Sequence, residues 1–414
     1  MKKVCTKGAL SAKNSSDSSL FFMPFPISAP LSDTPPYPFA EVDKLVADLK
    51  QQNITPIDFG VGDPTSPTPD FVVAAAQKSL EENTTFGYPS NFGNADFRQA
   101  ARDYMQRSFG VSLDENTEIA ITNGSKEAVF HYGFCHVNPG DTVIVPTPGY
   151  PSMKNGVRFA GGIPFYVPLR EENNFLIDFE AIPDDVADKA VMIWIQYPNS
   201  PTGASPSLDW YRKFHAWARS HDLIIAADEG CYIDIYFGEK PHSILEVATE
   251  GVITFYSLSK RNNMTNYRIG WVGGDAELVG LFKRMKLNVD SGVSNASQDA
   301  AIVALNDEAH VASMREEYKT KQDILLQAFR DINLPECLPD STFYVWQKAP
   351  KGMTGVEFAK KLLSPEIAIV CTPGAWISEV DFEGQNPGEN FVRFALMPTL
   401  EQLQQAADLL REHF

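Results

Sequence analysis

The sequence predicts an α/β fold, with a mostly parallel seven-stranded sheet in a large domain and a smaller α+β domain after it. Three observations predict this. Between residues 119 and 273 seven short apolar runs alternate with helix-patterned stretches, the rhythm of a chain that crosses from strand to strand. Runs such as Leu223-Ile224-Ile225-Ala226-Ala227 and Val252-Ile253-Thr254-Phe255-Tyr256 are apolar throughout, as strands covered on both faces are. From about Asp290 the pattern changes to long helical stretches and widely spaced strands. With 414 residues, 43% of them hydrophobic, the chain can bury two sizeable cores.

Composition narrows the function. A formal net charge of −18 repels nucleic acid and anionic membrane, so neither is an expected partner. No apolar run is long enough to span a bilayer. The cysteines, Cys5, Cys135, Cys231, Cys337 and Cys371, are odd in number and scattered, with no C-x-x-C pair. We therefore expect a reduced, cytoplasmic protein without a metal site.

In chain order, residues 1–31 are serine-rich and acid-poor, and are broken by Pro24, Pro26 and Pro30. They read as a disordered or variable extension. Residues 32–62 form an N-terminal segment: an amphipathic helix from Tyr37 to about Gln52, the strand Ile57-Asp58-Phe59, and a glycine turn at Gly62 expected to pack with the small domain. Gly62 permits close backbone approach to a ligand. The large domain is assigned to 63–290. It opens with helices at 71–81 and 97–109; the second presents Phe97, Ala100, Ala101, Tyr104, Met105 and Phe109 on one face. Strands follow at 119–122, 141–146, 163–167, 191–196, 223–228 and 252–256, with a return strand at 268–273. The small domain is assigned to 291–414. It carries a helical stretch at 299–329, strands at 343–346, 367–370 and 391–396, and a last helix at 400–412.

The chemistry collects at strand ends, where parallel sheets bind ligands. Gly124, Ser125 and Lys126 open a helix, and free N–H groups there attract phosphate, although an ordinary helix cap has the same sequence. Tyr150 ends a strand and can stack on a flat ring. Asp228 ends another; a carboxylate there is costly unless paired with a cation. Lys260 follows Ser257 and Ser259 after the strand at 252–256. Such a lysine is ordinarily a solvated surface residue, but in a partly desolvated pocket it is a nucleophilic amine. Hydroxyls before it and Arg268 after it can hold a phosphate. This chemistry suggests a Schiff base with pyridoxal phosphate.

The spacing S-x-S-K-x(7)-R-x-G resembles the cofactor-lysine motif of fold-type I pyridoxal-phosphate enzymes, the aspartate aminotransferase superfamily. The resemblance runs from about Pro35 to the C-terminus, with its motifs in family order. It implies the fold-type I architecture, Lys260 as Schiff-base lysine and proton carrier, and Asp228 on the pyridine nitrogen. It places Tyr150 on the ring. Ser125, Lys126, Ser257, Arg268 and the partner subunit's Tyr88, from Y-P-S-N-F-G, would hold the phosphate. Gly62 and Arg393, the latter in F-V-R-F-A-L, would bind the substrate carboxylate. A homodimer with shared sites is therefore expected.

Two positions depart from the family pattern. Asparagine normally stands directly before P-T-G; here Ser200 does, with Asn199 one earlier. Tyrosine normally stands three residues after the aspartate; here Cys231 does, with Tyr232 one later. Asn199, Ser200 and Tyr232 are all kept as candidate cofactor contacts. P-P-Y-P-F-A-E-V-D-K and S-K-R-N-N-M-T resemble the diaminopimelate aminotransferases, the N-terminal part the LL-diaminopimelate branch and C-T-P-G-A-W the N-succinyl branch. The expected activity is transamination of an L-amino acid with a 2-oxo acid such as 2-oxoglutarate, in lysine biosynthesis. A lyase of the same fold and a catalytically silent relative stay open.

Overall fold

The computed structural model describes residues 25–32, 40–85, 87–337 and 339–414. Strand β1 (Ile57–Asp58) precedes the seven of the large sheet: β2 (Ile119–Thr122), β3 (Thr142–Thr147), β4 (Ile163–Pro168), β5 (Ala190–Ile195), β6 (Ile224–Gly230), β7 (Val252–Ser257) and β8 (Gly270–Gly274). Their spatial order is β2-β8-β7-β6-β5-β3-β4. β4, β3, β5, β6 and β7 run parallel, and β8 is antiparallel to both its neighbours. The uninterrupted apolar runs have a direct cause. Val252 and Tyr256 of β7 join the core on one face, while Ile253 and Phe255 join the core on the other. Neither face of the strand meets water, so neither alternation register is polar.

Helices Ser125–His136 and Pro151–Phe159 cross with little room between them. A Cβ on Gly156 would lie 2.3 Å from the Phe130 carbonyl oxygen, a backbone atom that cannot yield. Gly156→Ala is therefore expected to destabilise the fold by about 1–3 kcal/mol, read as a lower urea midpoint at unchanged slope. An unchanged midpoint would show that the helices separate freely.

The smaller α+β part contains β9 (Tyr344–Lys348), β10 (Ile369–Val370), β11 (Thr372–Pro373) and β12 (Phe391–Ala395). Three of them form an antiparallel sheet in the order β11-β12-β9, and β1 pairs in parallel with β10. Its core includes Phe329, Phe343, Phe358, Phe394, Leu403 and Leu410. The helix Ala40–Gln51 adds Leu49, which packs with Leu363, Ala368 and Val370. Phe59 is fully buried: its N–H donates to Val370 O, and its own carbonyl accepts from Ala395 N–H.

Some expectations need adjusting. The stretch at 299–329 is two helices, Asn295–Leu305 and Ala309–Asp331, because the Asp307 carboxylate accepts the His310 N–H and starts a new one. The helix Ala276–Lys286 was not foreseen, although Asp275 caps it by accepting the Glu277 and Leu278 N–H groups. The return strand starts at Gly270, since Arg268 is left-handed at φ +51°. Residues 25–32 belong to a separate unit, with the short helix Ala29–Ser32. The expectations for residues 1–24 and for Tyr37 to Phe39 lie outside the described residues. Among the described residues, no helix is long and apolar enough to cross a membrane, and no side-chain group has the makings of a metal site.

Candidate active site

β6 and β7 are neighbours, paired Asp228 with Phe255 and then Gly230 with Tyr256, so Asp228 and Lys260 emerge at adjoining strand ends. Asp228 is 1% exposed. Its Oδ2 accepts from Gln196 Nε2 at 3.2 Å, and its Oδ1 is buried with no protein partner. Burial raises its pKa to about 7, against the pull of Gln196 and Cys231. Such a carboxylate needs a cationic donor to be comfortable in its ionised form.

Lys260 stands in the short helical turn Leu258–Arg261, whose first residues are held by Ser257 Oγ accepting from Ser259 N–H. Its Nζ donates to Gly62 O at 2.5 Å. Burial lowers its pKa, and Arg268 and Arg393 push the same way against Cys231 and Asp63. The amine is thus tuned toward its nucleophilic, neutral form.

A cleft of about 320 Å³ surrounds Lys260, within the size range of small-ligand sites. Gly62, Ser125, Lys126, Tyr150, Ser257 and Arg268 line it, so six of the expected site residues meet here. Gly124, at φ +77°, caps the helix that begins at Ser125. A Cβ there would fall 2.6 Å from Arg268 Nη2, so only glycine lets that guanidinium lie against the helix start. The result is an anion cradle of helix N–H groups, hydroxyls and a guanidinium. Tyr150 covers one side, its hydroxyl kept neutral by burial.

Arg393, on β12, donates from Nη2 to Gly60 O at 2.9 Å and to Thr372 Oγ1 at 3.3 Å. Its Cζ sits 4.5 Å from the Tyr344 ring centroid, and its Nε is buried without a protein partner. A Cβ on Gly62 would overlap the Tyr344 hydroxyl at 1.9 Å, so the bare backbone is required there.

Tyr232, Asn199, Ser200 and Tyr88 are not among the residues that line the cleft. Tyr232 packs edge-on against Phe343 and Tyr344 in the small-domain core. It is Cys231 that lines the cleft, 3.2 Å from Ser125 Oγ and with its thiol pushed up to about 12, chiefly by burial. Asn199 Oδ1 accepts from the Thr202 N–H and hydroxyl, which folds the Asn199–Gly203 turn; its Nδ2 is buried and unpartnered. Ser200 is half-buried in that turn. Tyr88 is 90% exposed and is not part of the cleft wall of this chain.

Gln196, Thr372 and Tyr344 were missed. Gln196 had a signal, since it ends a strand beside the one that carries Asp228. Thr372 and Tyr344 had none, because their roles depend on pairing across the small domain.

Residues 54–410 match the model of the family "Aminotransferase class I and II". The LL-diaminopimelate aminotransferase of Aquifex aeolicus is 46% identical, covering 94% of this chain and 99% of the relative. Among solved structures, apo-BacF from Bacillus subtilis superposes with a TM-score of 0.86 at 29% identity, over 94% of this chain and 98% of that one. A probable N-succinyldiaminopimelate aminotransferase from Thermus thermophilus gives 0.82 at 28%, over 91% and 100%. A lysine and an aspartate at adjoining strand ends, above an anion cradle, are therefore found in a chain that belongs to the class I and II aminotransferases of fold type I, close to the diaminopimelate aminotransferase branch.

Proposed function

We propose that this protein is a pyridoxal-phosphate-dependent aminotransferase that moves an amino group from LL-diaminopimelate to a 2-oxo acid such as 2-oxoglutarate, a step of lysine biosynthesis. The observation that carries the chemistry is the unpaired, buried Asp228 Oδ1 on the strand next to the one that leads into Lys260. The substrate rests on likeness: the Aquifex aeolicus relative is far more similar, at 46% identity, than the probable N-succinyldiaminopimelate aminotransferase from Thermus thermophilus, at 28%.

The residues fit the cofactor. The Gly124 cradle with Ser125, Ser257 and Arg268 suits its phosphate, and Asp228 Oδ1 suits a protonated ring nitrogen. When bound, pyridoxal phosphate supplies an aldehyde for amines and a ring that delocalises the electrons left at the substrate's Cα. The protein does the rest. Asp228 would keep the ring nitrogen protonated by supplying the opposite charge. Tyr150 would cover the ring face. Arg393 binds the α-carboxylate through its free edge and so orients the Cα–H bond. Lys260 would be the base that takes the Cα proton and the acid that returns it. The same groups serve the 2-oxo acid in the second, ping-pong half.

A visible spectrum of the cofactor-loaded protein tests this. LL-diaminopimelate should bleach the resting band, and 2-oxoglutarate should restore it. Bleaching by the N-succinyl compound alone would move the protein to that branch. Bleaching that no 2-oxo acid reverses would favour a lyase.

We further propose a homodimer in which the partner subunit's Tyr88 completes each phosphate site. Its 90% exposure in a single chain supports this. Lys260→Ala lacks the amine but offers a sound Tyr88, and Tyr88→Ala has the reverse lesions. Refolding the two together should restore about a quarter of wild-type activity by random pairing. Activity equal to the average of the separate mutants, despite proven subunit exchange, would make Tyr88 a local packing residue.

A further inference from the structure

We propose that Thr372 is a positioning residue that sets the plane of the Arg393 guanidinium for a substrate carboxylate. The proposal rests on the reading of Arg393 as the carboxylate site. Thr372 on β11 lies directly opposite Arg393 on β12, and opposite residues of an antiparallel pair share a face. Thr372 is fully buried. Its single hydroxyl proton goes to Gly60 O at 3.1 Å, which leaves an oxygen lone pair for Arg393 Nη2 at 3.3 Å. Gly60 O also accepts from Nη2, at 2.9 Å. The Gly60 N–H is in turn held by Asp58 Oδ1 at 2.7 Å, so this carbonyl is a fixed point.

One contact to a fixed point would let the guanidinium tip about that bond. A second acceptor on the same nitrogen removes this freedom, and the Tyr344 ring supports one face of the plane. What remains for a ligand is the edge at Nε, buried and without a protein partner. A planar fork recognises a carboxylate only if its plane is already correct. The threonine hydroxyl supplies that preorganisation without touching substrate.

Thr372→Val keeps the shape and removes the hydroxyl; Thr372→Ser keeps the hydroxyl. In the cofactor-loaded enzyme, Thr372→Val should weaken 2-oxoglutarate roughly tenfold, both in KM and in calorimetric Kd. It should weaken the amino donor by the same factor and leave kcat within about twofold. Pyridoxal phosphate affinity should not change, and Thr372→Ser should recover most of the loss. Should the valine variant fail to fold, Thr372→Ala makes the same comparison. Unchanged KM and Kd, a parallel fall in kcat and cofactor affinity, or no rescue by serine would each overturn the proposal. Arg393→Lys separates the levels. If it weakens 2-oxoglutarate while Thr372→Val does not, only the role of Thr372 fails. If it is itself without effect, the reading of Arg393 fails and this proposal with it.

Discussion

Lys260→Ala is expected to lower turnover by about ten-thousand-fold while leaving the fold and the phosphate contacts intact. The Lys260 amine is placed both to attach to an aldehyde and to carry the Cα proton. Burial, Arg268 and Arg393 lower its pKa, so it spends more time neutral than a surface lysine does. Its loss removes the hydrogen bond to Gly62 O, a modest cost to stability. Pyridoxal phosphate should still bind, held by Ser125, Ser257, Arg268 and the helix start, but should no longer attach covalently. Borohydride reduction of the wild-type protein followed by peptide mapping should place the cofactor on Lys260. Label on any other lysine would sink the assignment.

Asp228→Asn is expected to divide function from stability. Turnover should fall by about a thousandfold, because a neutral amide cannot hold the ring nitrogen protonated. The cofactor-free protein should become more stable at pH 8. The pKa of Asp228 is raised from 3.8 to about 7 by burial, so the native state binds a proton that the unfolded chain has released. Stability from this group is complete below pH 4 and is lost as pH rises to about 7, above which the penalty is constant, on the order of 4 kcal/mol. Asparagine escapes that penalty and can still accept from Gln196 Nε2. The difference in melting temperature should therefore grow between pH 4 and 7 and flatten above. Buried Glu229 is raised to about 7 as well, so the comparison must be made between variant and wild type at each pH. A variant no more stable than wild type at pH 8 would mean that Oδ1 is already compensated.

Much of the site was legible because its signals are local. A fully apolar run such as 252–256 follows from burial on both faces, and it ends where the chain leaves the sheet. Ser257, Lys260 and Arg268 lie within that one exit, and Gly124 and Ser125 lie within another. Short-range spacing is enough to place them, since helix and strand periods are properties of neighbouring residues.

The sequence by itself therefore determined the α/β pattern, the strand ends and the residues that stand at them. Which of those residues meet was decided only by the tertiary structure. The register between β6 and β7 shifts between Asp228 and Gly230, leaving Glu229 without a counterpart. A bulge of this kind re-aims the chain, and it is Cys231 that lines the cleft while Tyr232 packs against Phe343 and Tyr344. No spacing rule places a bulge. Likewise Gly60, Thr372 and Arg393 converge across more than 300 residues of chain. Their meeting depends on β1 pairing with β10 and β11 with β12, and strand pairing is a property of the folded whole.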